Sequence, residues 1–585
     1  MSRSITELSN PLTRSIDAVD PTGILRLLRQ SDAQLFAGWE TFPSLMDEDV
    51  LESLARAAWR MARLLRAPDS IVVMAGAGTS GRLAYLLCLE FNRILKERRL
   101  PEVFRPLMAG GEAALIMAQE AAEDSATAAQ RDIKDAVHDS IRQGMYIGIT
   151  CGLSAPYVAA QLEMMGGNSR FESVLVGFNP AYMARATSTE GWDKTVKEIV
   201  DRALESERFT LINPVYGPEP ITGSTRMKGG SATKIALETV FATALWIVEN
   251  ETGPESARVE LSGENLLPLR RQVAGQLRRY RQAVEAAYGN IPALAELVRL
   301  AGTALRSSGR IHYLGRGVAG LLGIIDASEC PPTFGSDLYD VRGYLREGWE
   351  MLGYSPAAMR ARGRAYEIDL EYFAQSVLPD VTKGDLVIAV AVGMPGEMTL
   401  RLLNEAAQAK ARTALLLIAT EPPKPGVLPD SIGHRCVVIV PSLGFAPGVN
   451  NEAELALKIC LNATTTGAHI MAGKIYENIM IDLRISNSKL HARAIGLIAR
   501  LLTIPEAQAS RALHYAIFKS LPDDAKLADA SVAVAVQRAV TRSRIVPLAM
   551  LLATGKFTYD EAEERLASEP RVRRIVEDIL GQTQA

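Results

Sequence analysis

A chain of 585 residues, 48% of them hydrophobic and 22% charged, is long enough for two or three packed domains. A formal net charge of −3 without a long Lys/Arg run argues against a polyanion binder, so no nucleic-acid partner is expected. Five scattered cysteines without C-x-x-C, and six histidines without H-E-x-x-H, point to a reduced, cytoplasmic protein with neither a disulfide framework nor a metal site.

The polar start, MSRSITELSNPLTRS, lacks the apolar core of a secretory signal. PTGILRLLRQSDAQLF then reads as an amphipathic helix, and residues 1–59 form an N-terminal helical segment. From about residue 60, SIVVMA runs into the loop GAGTSG (76–81) and the apolar stretch RLAYLLCLEF. The same succession returns as RIHYL, GRGVAG (315–320) and LLGIIDASEC, about 240 residues later. A glycine loop repeated at that distance signals a duplicated domain.

Each copy continues with a strand ending in small residues, GMYIGITCGLSAPYVAAQL in one and GDLVIAVAVGMPGEMTLRLL in the other. A further strand follows in both, ESVLVGFNP and TALLLIAT. Strands alternating with helices predict α/β domains with a doubly wound parallel sheet and ligands at the strands' C-terminal ends. The domains are placed at residues 60–270 and 290–468. Apolar runs such as LVIAVAV are strand-sized and far short of a bilayer span, so no membrane association is expected. After about 470 the strand signals stop. NSKLHARAIGLIARLL, PEAQASRALHYAIF and TYDEAEERLA read as short helices, with Thr558 and Asp560 as start signals, and residues 469–585 form an all-helical bundle or lid.

G-x-G-x-x-G after a strand is also the dinucleotide fingerprint, which needs an acidic residue at the end of the next strand. That strand, VFRPLMAGGEA, ends in Gly110 and Gly111 with only Glu112 to serve. Thr79 and Ser80 suit a small phosphate better, since backbone N–H groups at a helix start attract the anion and two hydroxyls can donate to it. The alternative is a tight strand-to-helix turn without a ligand. In GRGVAG, Val318 and Ala319 offer no donor, so the second loop keeps the geometry without the phosphate chemistry. GITCGLSAPY brings Thr150, Gly152 and Ser154 to another strand end. GPEPITGSTRMKGGSATK adds Ser224, Thr225 and Lys228 at a helix start, which serves a capped helix equally well.

Glu329, in DASECPPTFG, lies on the helix opened by the second loop, just before Pro331 and Pro332, which are expected to end it. It stands roughly 14 Å along that helix from its own loop, too far to act on a hexose held there by its phosphate. QEAAEDSA supplies Glu120, Glu123 and Asp124 in the first domain. One domain thus carries the hydroxyl loops and Glu123, the other Glu329 and no phosphate loop. This division of labour predicts one composite site between the domains. Two carboxylates over one sugar phosphate allow isomerisation, elimination or plain hydroxyl binding.

GAGTSGRL, AGGE…EDS, ECPPTFG and GSTRMKGGSATK resemble the N-acetylmuramic acid 6-phosphate etherase family of sugar isomerase (SIS) domain proteins. The two-copy layout, with SNPLT, GLSAPY, DVRGYL, TTTGAHI and DLRISNSKLHARA, resembles the glucokinase regulatory protein family, a duplicated relative of the etherase. The resemblance implies two tandem SIS domains forming an intrachain pseudo-dimer, closed by the helical lid. It implies Glu123 and Glu329 as the catalytic pair, Thr79, Ser80, Thr150, Gly152 and Ser154 as phosphate and sugar contacts, and Lys489 as a lid lysine on the sugar phosphate. Arg493 and Ser224 are further candidates. The expected activity is cleavage of the lactyl ether of N-acetylmuramic acid 6-phosphate to N-acetylglucosamine 6-phosphate and D-lactate, without metal or redox cofactor. The alternative is a sensor of a sugar 6-phosphate, such as a fructose phosphate, that binds and inhibits a sugar kinase. GLSA (152–155) is the regulatory protein's form, whereas ECPPTFG is the etherase's. PSLGFAPGVNN (441–451), where the regulatory protein docks its kinase, offers only Leu443 and Phe445 as large apolar residues.

Overall fold

The computed structural model describes residues 4–119, 121–250, 263–442, 444–445, 449–485, 488–520, 532–540 and 542–584. Two five-stranded, all-parallel sheets form its centre. The first comprises β1 (Ser70–Gly76), β2 (Phe104–Met108), β3 (Gln143–Ile149), β4 (Phe171–Val176) and β5 (Phe209–Ile212), in the order β2-β1-β3-β4-β5. The second comprises β6 (Ile311–Gly315), β7 (Val341–Leu345), β8 (Leu386–Val392), β9 (Arg412–Ala419) and β10 (His434–Ile439), in the order β10-β9-β8-β6-β7. Counted within each domain, the two orders are the same. The chain carries one doubly wound fold twice.

Each central strand is apolar on both faces because helices cover both: β1 and β6 are buried along their whole length. The two strand-to-helix turns are alike in their close approaches. A Cβ on Gly76 would come within 2.7 Å of the Ser80 backbone, and one on Gly315 within 2.6 Å of Gly320 Cα. Gly78 and Gly317 take left-handed φ angles of 53° and 55°. At Gly76 and Gly315 there is no room for a Cβ, and at Gly78 and Gly317 the backbone conformation favours glycine, which is why both loops were visible in the sequence.

Glu48–Leu64 packs on Lys228–Asn250 as Ile291–Arg306 packs on Asn451–Met471. The helices Glu48–Leu64 and Gly263–Ala287 run across residues 59 and 270, where the sequence reading drew its boundaries. Those limits were set from strand signals, and a helix ahead of its first strand carries no comparable mark. By length and composition Lys228–Asn250 could cross a membrane, yet 94% of its apolar window is buried inside the protein. It also carries Lys234 and Glu238, ion-paired with each other, and Lys234 reaches Glu454 on Asn451–Met471 at 3.2 Å. The two domains therefore meet through a charged contact as well as an apolar one.

The helix bearing Glu329 runs from Gly317 to Phe334, through Pro331 and Pro332, rather than ending before them. The prolines fall in its last turn, and Gly335 at φ 61° closes it with an N–H donated to the Pro331 carbonyl. The C-terminal region is helical with its own apolar core, from Ile481 and Leu497 to Leu551 and Ile575, and it enters through a short hairpin, Ile475–Tyr476 with Ile479–Met480.

Candidate functional site

A cavity of about 970 Å³ opens at the C-terminal end of the first sheet. Its wall is drawn from four parts of the chain. The first domain gives Gly78, Thr79, Arg82, Glu123 and the loop Ile221–Arg226; the second gives Glu329 and Thr333. Ser4 and Glu7 come from the N-terminal segment, and Ile479, Met480, Arg493 and Arg500 from the lid.

Of the residues singled out in the sequence, the fold brings Thr79, Glu123, Ser224, Glu329 and Arg493 to this one cavity. Ser224 Oγ lies 3.4 Å from Thr333 Oγ1, a hydroxyl pair spanning the two domains. The others take different places. Ser80 turns its hydroxyl to Cys151 Sγ at 3.6 Å, behind the wall. Thr150 Oγ1 accepts from the backbone N–H groups of Ser154 and Ala155, at 3.1 and 3.3 Å, and so holds its own loop in shape. Gly152 belongs to that loop, in a cluster with the hydroxyls of Ser154, Ser4 and Thr6. Lys489 lies in the first turn of the lid helix Ser488–Leu502, with its side chain outside the described residues; Glu120 and Leu443 lie outside them altogether. Phe445 stacks edge-on against Phe241, at 6.4 Å between centroids, and turns inward from the loop it occupies.

Two buried arginines of the first domain were missed by sequence reasoning. Arg82, 1% exposed, donates to Glu329 Oε1 at 2.5 Å and to the Leu115 carbonyl at 3.1 Å. Arg226, 2% exposed, donates to Asp326 Oδ1 at 3.0 Å and to Thr465 and Thr466. Asp326 and Glu329 are three residues apart on one helix of the second domain and so share a face. Each accepts a guanidinium reaching across from the first. Burial pushes the Asp326 carboxyl above its ordinary range, against the pull of Arg226. Glu123 still reaches solvent at the cavity wall, but desolvation there, with Asp124 and Glu7 nearby, holds its carboxyl above the usual range; Arg185 opposes this.

The second glycine loop has a carboxylate of the protein at its helix start. Glu347, two residues past β7, accepts from the Gly317 N–H at 3.0 Å, so it sits at the helix start whose first-domain counterpart lines the cavity. Glu90, twelve residues past Gly78 as Glu329 is past Gly317, pairs with Arg93 on its own helix at 2.9 Å and does not line the cavity.

The chain's two ends close over the site. Asn478, at the tip of the lid hairpin and fully buried, donates to the Asn10 carbonyl and to Thr13 Oγ1, and accepts from Ser9 and Thr222. Asp17, 1% exposed, accepts from Arg573 at 3.1 Å and from the Glu477 N–H at 2.7 Å. Burial still lifts its carboxyl to about 6.

The fold and the shared site define a tandem SIS-domain protein with a helical lid. The model of the glucokinase regulatory protein N-terminal SIS domain matches residues 56–166, that of its second SIS domain residues 288–414, and that of its C-terminal lid domain residues 477–576. The chain is 33% identical to the glucokinase regulatory protein of Homo sapiens over 594 residues, covering 99% of this chain and 92% of the relative. With that of Xenopus laevis it shares 31% over 594 residues, covering 99% and 93%. This chain belongs to the glucokinase regulatory protein family. Its similarity to the N-acetylmuramic acid 6-phosphate etherase of Serratia proteamaculans (strain 568) is 34% over 247 residues, 41% of this chain and 78% of the relative. Full-length similarity therefore favours the regulatory alternative over the etherase first expected from the sequence.

Proposed function

We propose that this protein is a sugar-phosphate-binding regulator whose occupancy governs the binding and inhibition of a sugar kinase. The observation that carries the reading is the make-up of the cavity. Its wall is drawn from all three regions matched by the regulatory family's models: Thr79 and Glu123 in the first, Glu329 in the second and Arg493 in the lid. A ligand there touches every part at once, so its presence is communicated to the lid and to any surface the lid presents. On this reading the phosphate lies at the Gly78 helix start, with Thr79 and Lys489 as donors and the carboxylates of Glu123 and Glu329 on the sugar hydroxyls. Ser80, Thr150, Gly152 and Ser154 support the loops from behind. The test is an assay of a hexose-phosphorylating kinase from the same source, with and without this protein, across a series of hexose phosphates. Phosphate-dependent inhibition is expected. A kinase rate indifferent to the protein at every ligand concentration would count against it.

A second reading, etherase activity, is favoured by one feature: Glu123 and Glu329 line the same cavity in unlike surroundings, one open to solvent and the other buried and paired with Arg82. One carboxylate would take the C2 proton of the ring-opened sugar while the other assists departure of lactate, after which water adds back. D-lactate release from N-acetylmuramic acid 6-phosphate, lost in both Glu123→Gln and Glu329→Gln, would establish it. No release from the wild type would dispose of it.

A further inference from the structure

Arg82 stands one turn into the helix that begins at Gly78. Side chains on a helix lean toward its N-terminus, so a long side chain at this position reaches back toward the loop where Gly78 and Thr79 line the cavity. Its nitrogens are used unequally. Nε serves the Leu115 carbonyl and Nη1 serves Glu329, but Nη2, buried beside the cavity, has no partner among the described residues. A buried donor without an acceptor is costly, and a guanidinium's planar fork is built for two oxygens of one oxyanion or for two neighbouring ones. The helix N-terminus alongside adds its own partial positive charge. Glu329 offsets one side of the cation, and Arg82 lines the cavity together with Gly78 and Thr79 of the helix start.

We propose that Arg82 is a phosphate-binding residue of this site. Nη2 donates to the ligand's phosphate at the Gly78 helix start while Nη1 keeps Glu329, so one guanidinium ties the anion held by the first domain to the carboxylate brought by the second. The inference rests on the sugar-phosphate reading above and extends it. Glu329 and the phosphate share one cation, so occupancy of the site and the contact between the two domains form one linked equilibrium.

The test is calorimetric titration of inorganic phosphate and of fructose 6-phosphate into the full chain and into Arg82→Gln, Arg82→Lys and Glu329→Gln. Thermal unfolding of the ligand-free variants reads any purely structural role separately. Arg82→Gln is expected to weaken both ligands roughly 10-fold or more, the scale of a lost charge-assisted hydrogen bond. Arg82→Lys, with its charge but without the fork, should weaken both to a smaller degree. Glu329→Gln removes the competing carboxylate and should tighten inorganic phosphate several-fold. Unchanged phosphate affinity in a folded Arg82→Gln overturns the proposal, as does equal or weaker phosphate binding in Glu329→Gln. That second arm decides the matter if Arg82→Gln fails to fold. A wild type that binds neither ligand removes the sugar-phosphate reading itself, whereas wild-type binding that survives Arg82→Gln removes only the role of Arg82.

Discussion

Removing the Asp326 carboxylate should unfasten the two domains at a point where the cost can be reckoned. Its Oδ1 accepts from Arg226 at 3.0 Å, from Asn462 at 2.7 Å and from Thr465 at 3.2 Å, and its Oδ2 accepts from Tyr313 at 3.3 Å, all in the buried interior. In Asp326→Ala the Arg226 guanidinium stays buried with, among the described residues, only the hydroxyls of Thr465 and Thr466 as side-chain acceptors. Breaking a buried pair in this way costs about 3–5 kcal/mol, because a charge is left uncompensated. Replacing both partners, as Arg226→Met with Asp326→Leu, should cost far less than the sum of the two single changes, since no charge then remains to be desolvated. The assay is urea unfolding at pH 7, followed by tryptophan fluorescence and far-UV circular dichroism together, so that separate domain transitions are seen. A loss below about 1 kcal/mol in Asp326→Ala, or strictly additive single and double changes, would refute the reasoning.

Asp17 should make the clasp between the chain's ends sensitive to pH. Its folded-state carboxyl, lifted from 3.8 to about 6, binds a proton more tightly than the unfolded chain does. Its favourable contribution is complete below about pH 4 and is lost as pH rises through about 6, a change of about 3 kcal/mol over that window. The stability of Asp17→Asn relative to wild type should therefore rise between pH 4 and 6, and a flat difference would contradict the burial argument. In Gly81→Ala the added Cβ would come within 2.7 Å of the Gly76 carbonyl oxygen and of the Met108 side chain. A loss of about 1–3 kcal/mol, accompanied by weaker phosphate binding, is expected, and thermal unfolding with and without phosphate checks it.

How much of this was legible beforehand depended on what kind of constraint each residue answers to. The two glycine loops were visible because Gly76 and Gly315 have no room for a side chain and Gly78 and Gly317 take a backbone conformation that favours glycine. That Glu329 lines a cavity with Gly78 and Thr79 of the other domain could be anticipated because helix rise is a fixed length, which puts it far from its own loop. Arg82 and Arg226 were quoted within GAGTSGRL and GSTRMK and passed over. An arginine reads as a surface residue until its partners are known, and Asp326 and Glu329 lie more than 90 positions away in the chain. The same holds for SNPLT, whose polar letters hide an interior: Asn10 and Thr13 are fully buried because Asn478 satisfies them from the far end of the protein. Local pattern reports what the backbone must do, but not which polar groups the fold will pair.

The most direct measurement is the number of sugar phosphates bound per chain, by calorimetric titration of fructose 6-phosphate into the intact protein. Two copies of the SIS fold are present, but Glu347 accepts from the second loop's Gly317 N–H, and residues of both domains line the cavity at the first loop. One molecule per chain is therefore expected, with competition by inorganic phosphate. Two equivalent sites, or saturable binding that survives replacement of both Thr79 and Glu329, would contradict a single composite site.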